Sequence, residues 1–257
     1  MPYLTGRRPA QELAIQLRMV AAFERSMQAS VQREMSRLLK AAADTVEAGG
    51  MIQSVVDDHA RNLTSIYTAA VEGVMPAFGD RILGAAGKAW KRHLVIKDSR
   101  GEFERAVERY LQQAGARAVI AAETTQEKLA AIIAAGRDDG MGQAEIARQI
   151  TSGAPDLPGI GAFTPRVRAA VIARTEVHTA STVASRAAAD SLGVVERYEW
   201  IAAEDTRTRP DHSAADGQTI TRGERYDVGG SKLEHPGDPA GPARQVISCR
   251  CVEGFIT

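Results

Sequence analysis

Apolar residues recur every three to four positions through the first two-thirds of the chain, a spacing that predicts long helices. Over residues 11–47, Leu13, Leu17, Val20, Met27, Val31 and Leu38 form one stripe, interrupted by Glu24 and Glu34. Gly49-Gly50 then punctuates the pattern as a helix C-cap and turn do. A second run extends from Met51 toward Val95 through Ile52, Val55, Val56, Leu63, Ile66, Val71 and Val74. Pro76 is expected to kink or divide it, because proline lacks the backbone donor and clashes with the preceding turn. Two long helices meeting at Gly-Gly predict an αα-hairpin.

Asp98-Ser99 followed by Glu102 has the form of a helix N-terminus and predicts a third helix reaching Ile120. A separate segment follows with Glu123-Thr124-Thr125-Gln126, Leu129, Ile132 and Ile133, ending at Gly136. Gly140-Met141-Gly142-Gln143 introduces a short helix over residues 144–150. Residues 151–164 are rich in Gly, Pro, Ser and Thr and predict a loop or hinge. Helix resumes at Pro165, a favourable first-turn proline, and continues through Ala189.

After Leu192-Gly193 the texture changes. Residues 194–201 carry β-branched and aromatic side chains at strand spacing. From Ala202 onward Gly, Pro and Asp are frequent, so the elements there are short. The expected fold is mainly α, with a long N-terminal helical hairpin and a helical middle, followed by a small α+β C-terminal domain. The boundaries drawn from this pattern are a helical region over residues 1–97 and a second domain over 98–257. The chemistry-bearing motifs lie in its 164–257 part.

Composition refines this picture. Alanine-rich helices and only 5% aromatic residues leave few large side chains to lock a unique core, which suits a protein that completes its packing in an assembly. With 32 basic and 32 acidic residues the chain lacks the basic excess of a general nucleic-acid coat. A local basic face is still compatible with that balance. The two cysteines, Cys249 and Cys251, are one residue apart; a disulfide between them would be strained, and they make no secreted framework. The first residues lack the apolar core of a signal peptide, and no stretch nears the roughly 20 apolar residues that span a bilayer. The expected setting is a reducing host cytoplasm, or a particle assembled there, with no membrane anchor.

Residues 164–251 hold an ordered set of motifs. They are Ala173-Arg174-Thr175-Glu176, Glu199-Trp200, Asp205-Thr206-Arg207-Thr208-Arg209, His212, Asp216-Gly217-Gln218, His235-Pro236-Gly237-Asp238-Pro239 and Cys249-Arg250-Cys251. In this order they resemble the phage Mu F-like family of head-morphogenesis or minor head proteins. Glu123-Thr124-Thr125 and the Gly140 turn extend the resemblance over roughly residues 100–252, and the first hundred residues match only as a generic helical extension. The resemblance implies a role in the phage virion: a minor head protein present in few copies, at the head interior or portal vertex. Its implied partners are the portal protein, other head proteins and scaffold, with packaged DNA a weaker candidate. It would assist head morphogenesis or DNA delivery, and the implied role includes no catalysis.

The residues themselves allow sharper and blander readings. On a strand, side chains at i and i+2 share a side, so Cys249 and Cys251 could hold one zinc ion with His212 and His235. Such an ion would fasten a small loop-rich unit. A Cys-x-Cys pair departs from the usual two-to-four-residue spacing, and the alternative is two thiols in a small core beside ordinary polar histidines. His178, on a helix, is read as a solvated or capping side chain. Asp205, Arg207, Arg209, Asp211 and His212 together have the look of a metal-dependent nuclease, and a hydrolase-like effector delivered with the genome is the rival function. The structural reading is preferred, because no nucleophile, base and orienting group can be assigned and carboxylate–guanidinium forks readily pin loops. Arg174 with Glu176 is read the same way. Asp216-Gly217 and Pro236-Gly237-Asp238 are expected as tight turns, and Trp200 as a core anchor.

Overall fold

The computed structural model describes residues 3–90, 93–152 and 164–257. The helical spacing appears as α1 (Pro9–Glu47), α2 (Gln53–Trp90), α3 (His93–Asp138), α4 (Gln143–Ser152) and α5 (Pro165–Ser191). The loop expected over 151–164 lies, for residues 153–163, outside the described residues. Short elements follow: β1 (Arg197–Ile201), α6 (Pro210–Ala214), β2 (Thr219–Ile220), β3 (Tyr226–Val228), β4 (Ser231–Leu233), α7 (Ala243–Val246) and β5 (Val252–Ile256). The chain is therefore mainly α with a small antiparallel C-terminal part, as its pattern predicts.

Two expected breaks are absent. Helix α2 runs through Pro76. The proline sits on an exposed face beside exposed Glu72, so the carbonyl deprived of its helical donor meets water rather than a dry core. Helix α3 starts ahead of Asp98-Ser99, at His93, and runs to Asp138, so it joins the helix expected to reach Ile120 with the segment expected to end at Gly136. The Ser99 hydroxyl does not cap; it is buried and donates to the Ser191 carbonyl at 2.8 Å. Farther along, Thr124 and Thr125 donate to the carbonyls of Ile120 and Ala121, four residues back, and stay inside the helix.

The chain forms two compact units, each drawn from separated segments. One comprises Arg25–Ala69 and Gln113–Ala173. Within it, α1 ends in a Schellman motif: the Gly49 amide bonds to the Val46 carbonyl and the Gly50 amide to that of Thr45. Gly49 supplies the positive φ, +77°, that this cap requires. Past the turn, α1 and α2 bury Val31, Met35, Leu38, Val56 and Leu63. Glu34, expected as an interruption of the stripe, is itself buried. It accepts from His59 Nδ1 (2.9 Å), from both arms of Arg37 (2.8 and 2.9 Å) and from Asn62 (3.2 Å). Burial alone would raise this carboxyl, but the bonds from His59, Arg37 and Asn62 outweigh it and hold the group at about 2.

The other unit comprises Met1–Glu24, Ala70–Gln112 and Arg174–Thr257. Here the start of α1 departs from the stripe. Glu12 and Gln16 are buried, whereas Leu13 and Leu17 are half-buried. An ion pair decides this register: Glu12 meets Arg81 of α2 at 2.5 Å and accepts from Gln16 at 2.8 Å. Strand β1 pairs antiparallel with β2 on one side and with β5 on the other, Tyr198 lying opposite both Ile220 and Phe255. Beyond β5, Tyr3 bridges Ile256 and the Leu4 amide bonds to the Phe255 carbonyl at 2.8 Å. Strands β3 and β4 form a separate hairpin closed by Gly229-Gly230. Among the described residues no helix is long and apolar enough to cross a membrane.

Candidate functional site

The strand that begins at Arg197 alternates so that Tyr198 and Trp200 face inward. Trp200 is fully buried and meets two rings edge-on, Tyr226 at 5.3 Å and His212 at 5.5 Å between centroids. It is the core anchor expected of it, and it forms one wall of a buried polar cluster.

That cluster contains His212, Cys249 and Cys251. Their ligand atoms lie within 4.8 Å of one another, and each residue is at most 2% exposed. His212 sits on α6, which starts at Pro210, and its Nδ1 lies 3.4 Å from Cys251 Sγ and 3.7 Å from Cys249 Sγ. The two cysteines do not lie on a strand, as their alternation suggested. They belong to the extended link between α7 and β5, yet their sulfurs converge. Between the thiols, the bond donated by Cys249 holds Cys251 below the usual thiol range and raises Cys249 well above it.

Gln245 of α7 sets the state of the imidazole. Its amide nitrogen donates to Asp211 Oδ2 (2.8 Å) and to the Val228 carbonyl (3.2 Å), and its Oε1 lies 3.0 Å from His212 Nε2. With both amide hydrogens directed at acceptors, the amide oxygen faces His212 and can only accept. Nε2 therefore carries the proton, and Nδ1 turns its lone pair toward the sulfurs. Neither the spacing nor the composition pointed to Gln245.

His235 is not part of this cluster. It is buried in the turn that it opens, where Nδ1 donates to the Pro236 carbonyl at 3.1 Å, and burial lowers its basicity. The Asp238 amide closes that turn on the His235 carbonyl at 3.1 Å. Pro236 and Gly237 occupy its central positions, Gly237 at φ +76°. An added Cβ on Gly237 would come within 2.8 Å of the His178 ring, so only glycine fits there. Asp238 is buried and accepts from the amides of Glu234 (2.8 Å) and Ala240 (2.9 Å). His178 is not solvated: it is 1% exposed on α5, and burial, with His235, His212 and Arg250 nearby, lowers it to about 3.

The acidic and basic loop works as a set of fasteners, with partners both near and distant in sequence. Asp205 is gripped by the forked guanidinium of Arg250, between the two cysteines, and accepts the Arg207 amide at 2.9 Å. The Arg250 fork, backed by that amide, holds the Asp205 carboxyl well below the usual range. Arg209 reaches the Ile247 carbonyl. The Ser248 amide is held by Thr175 Oγ1 at 3.1 Å. Asp216 accepts the Ala202 amide at 2.7 Å, beside Gly217 at φ +73°. Arg174 faces Glu24 of α1 at 3.9 Å, and Glu176 is half-buried on the same helix. In the sequence Arg250 carries no signal beyond its place between the two cysteines, because its partner Asp205 lies 45 residues away.

One carboxyl is held differently. Glu253 of β5 is buried, with Oε1 accepting from Arg186 (2.6 Å) and Tyr226 (3.0 Å). Burial outweighs these donors and raises it to about 8.

Comparison with curated proteins and with solved structures gave no match. Residues 127–253 match the family model described as Phage Mu protein F like protein. The match begins later than the expected position near residue 100 and runs past Cys251. It contains every motif from Arg174 to Cys251 described above. Over this segment the chain is similar to the phage Mu protein F-like family, a family of phage head proteins.

Proposed function

We propose that this protein is a minor head component of a tailed phage or phage-like particle, associated with the portal. It assists head morphogenesis or DNA delivery and turns over no substrate. The observation that carries this reading is the family match over residues 127–253. The helices α1 and α2, of 39 and 38 residues, precede the matched segment. At 1.5 Å per residue each is roughly 55–60 Å long, which suits a portal- or scaffold-facing element. The hydrolase alternative draws on His212 and Asp205, and both are engaged by protein atoms: His212 by Gln245 and the sulfurs, Asp205 by Arg250.

Two measurements test the proposal. Heads assembled with the tagged full chain are analysed by quantitative mass spectrometry and particle imaging. A few copies per head, with density at the portal vertex, are expected; copies spread over the whole shell, or none, would overturn it. Purified protein is also incubated with DNA and RNA in the presence of divalent metals. No cleavage is expected, and cleavage abolished by His212→Ala in a folded variant would replace the proposal with the hydrolase reading.

A further inference from the structure

We propose that His212 Nδ1, Cys249 Sγ and Cys251 Sγ together bind one zinc ion, with Gln245 as the residue that positions the imidazole. The proposal is independent of the head-protein assignment and rests on three features of the cluster.

Distance comes first. Zinc–sulfur bonds of about 2.3 Å and zinc–nitrogen bonds of about 2.0 Å at a tetrahedral angle put nitrogen and sulfur about 3.5 Å apart. The two nitrogen–sulfur separations here, 3.4 and 3.7 Å, bracket that value. A lone imidazole nitrogen has one lone pair and accepts one thiol hydrogen well. Two sulfurs at near-equal range of one lone pair have the separations that an ion shared by all three donors requires.

Tautomer comes second. A ligating histidine donates its other ring N–H to a protein acceptor, which fixes the ring and raises its basicity. Gln245 Oε1 fills that role at 3.0 Å, and its own amide is locked by Asp211 and Val228. The free lone pair is thereby committed to Nδ1, the nitrogen facing the sulfurs. A satisfied core histidine could use either tautomer; this arrangement permits the ligating one.

The surroundings come third. Two thiolates and an imidazole select a soft ion over magnesium or calcium, which take oxygen ligands. His235, expected as a fourth ligand, is occupied in its own turn, so three donors converge among the described residues and the fourth position falls to water. Binding releases the thiol protons to solvent. The ion joins α6 to the link ahead of β5, two segments with few apolar residues between them.

The test uses the full chain, reduced, stripped of metal and kept in buffer free of added thiol. Cobalt(II) is titrated in and read by absorbance. One equivalent is expected to produce a thiolate-to-cobalt charge-transfer band, displaced stoichiometrically by zinc, with the melting temperature rising on zinc addition. A folded chain that shows no such band with excess cobalt and no zinc-dependent melting shift would overturn the proposal. Both readouts use the unmodified sequence, so a variant that misfolds cannot obscure the result. Gln245→Leu is expected to keep the band but weaken zinc by about 10–100-fold, the usual cost of losing the partner of a ligating histidine. Zinc retained at full affinity by a folded Cys249→Ser/Cys251→Ser variant would remove the sulfurs as ligands and the proposal with them.

Discussion

Two buried carboxyls, one in the α1–α2 pairing and one in the C-terminal sheet, are handled in opposite ways. Glu34 is surrounded by donors and held ionised, at about 2. Glu253 is enclosed by the aromatic and β-branched core, with one oxygen lacking a partner, and is raised to about 8. The helices are long and their apolar faces are built mostly from aliphatic and small side chains, so many sliding registers would bury similar area. A directional charged cluster singles out one of them. The C-terminal module already has a unique core in Trp200, Tyr198 and Tyr226, and there a carboxyl adds a charge that the core resists.

The largest effect is expected from the anchor of the module. Trp200→Ala should cost about 3–5 kcal/mol, the range for deleting a large buried ring. Chemical denaturation followed by aromatic circular dichroism should show the loss, with most helical signal retained at low denaturant. If the denaturation midpoint of the aromatic signal is unchanged, Trp200 is not the anchor.

Glu34→Ala comes next, at about 2–3 kcal/mol, since it leaves buried His59 without its acceptor. The ion-pair contribution is present above the unfolded carboxyl value, near 4.3, and is lost as pH falls toward about 2. Denaturation midpoints of Glu34→Gln and the parent should therefore differ at pH 6 and converge toward pH 2. A difference that persists unchanged at low pH would place the effect in packing rather than in charge.

Glu253→Gln should have the smallest effect and the opposite pH trend. The folded state binds more protons than the unfolded between the ordinary carboxyl value and about 8, so stability contributed by this site falls as pH rises through that window. The amide variant should flatten the slope. An unchanged slope in the variant would show that Arg186 keeps Glu253 charged throughout.

Much of the fold was legible because helices announce themselves by spacing. The Gly49-Gly50 cap, Pro165 and the change of texture after Gly193 all read correctly from local chemistry. What spacing could not supply was tertiary override. Pro76 and Asp98-Ser99 have the local form of breaks, but an exposed face and a distant carbonyl at Ser191 absorb their cost. Leu13 and Leu17 fit the stripe better than Glu12 and Gln16, yet Arg81 reverses the order. In the C-terminal module, the turns at Asp216-Gly217 and Pro236-Gly237-Asp238 were readable because glycine and aspartate state their geometry locally. The partners Arg250 for Asp205 and Gln245 for His212 were not, because a fork or an amide can serve any acceptor that the fold brings near.

The short segment at Tyr3 and Leu4 has a consequence for how the chain is made. Leu4 is buried, and its amide bonds to the Phe255 carbonyl, almost the whole length of the chain away. On the ribosome these first residues emerge long before their docking edge exists, and closing so wide a loop comes late. Until then the β5 edge is open to pairing with another chain, and afterwards it is covered. The β5 edge is thus closed at this point only when two segments far apart in sequence, residues 3–4 and 252–256, have both been made and have met.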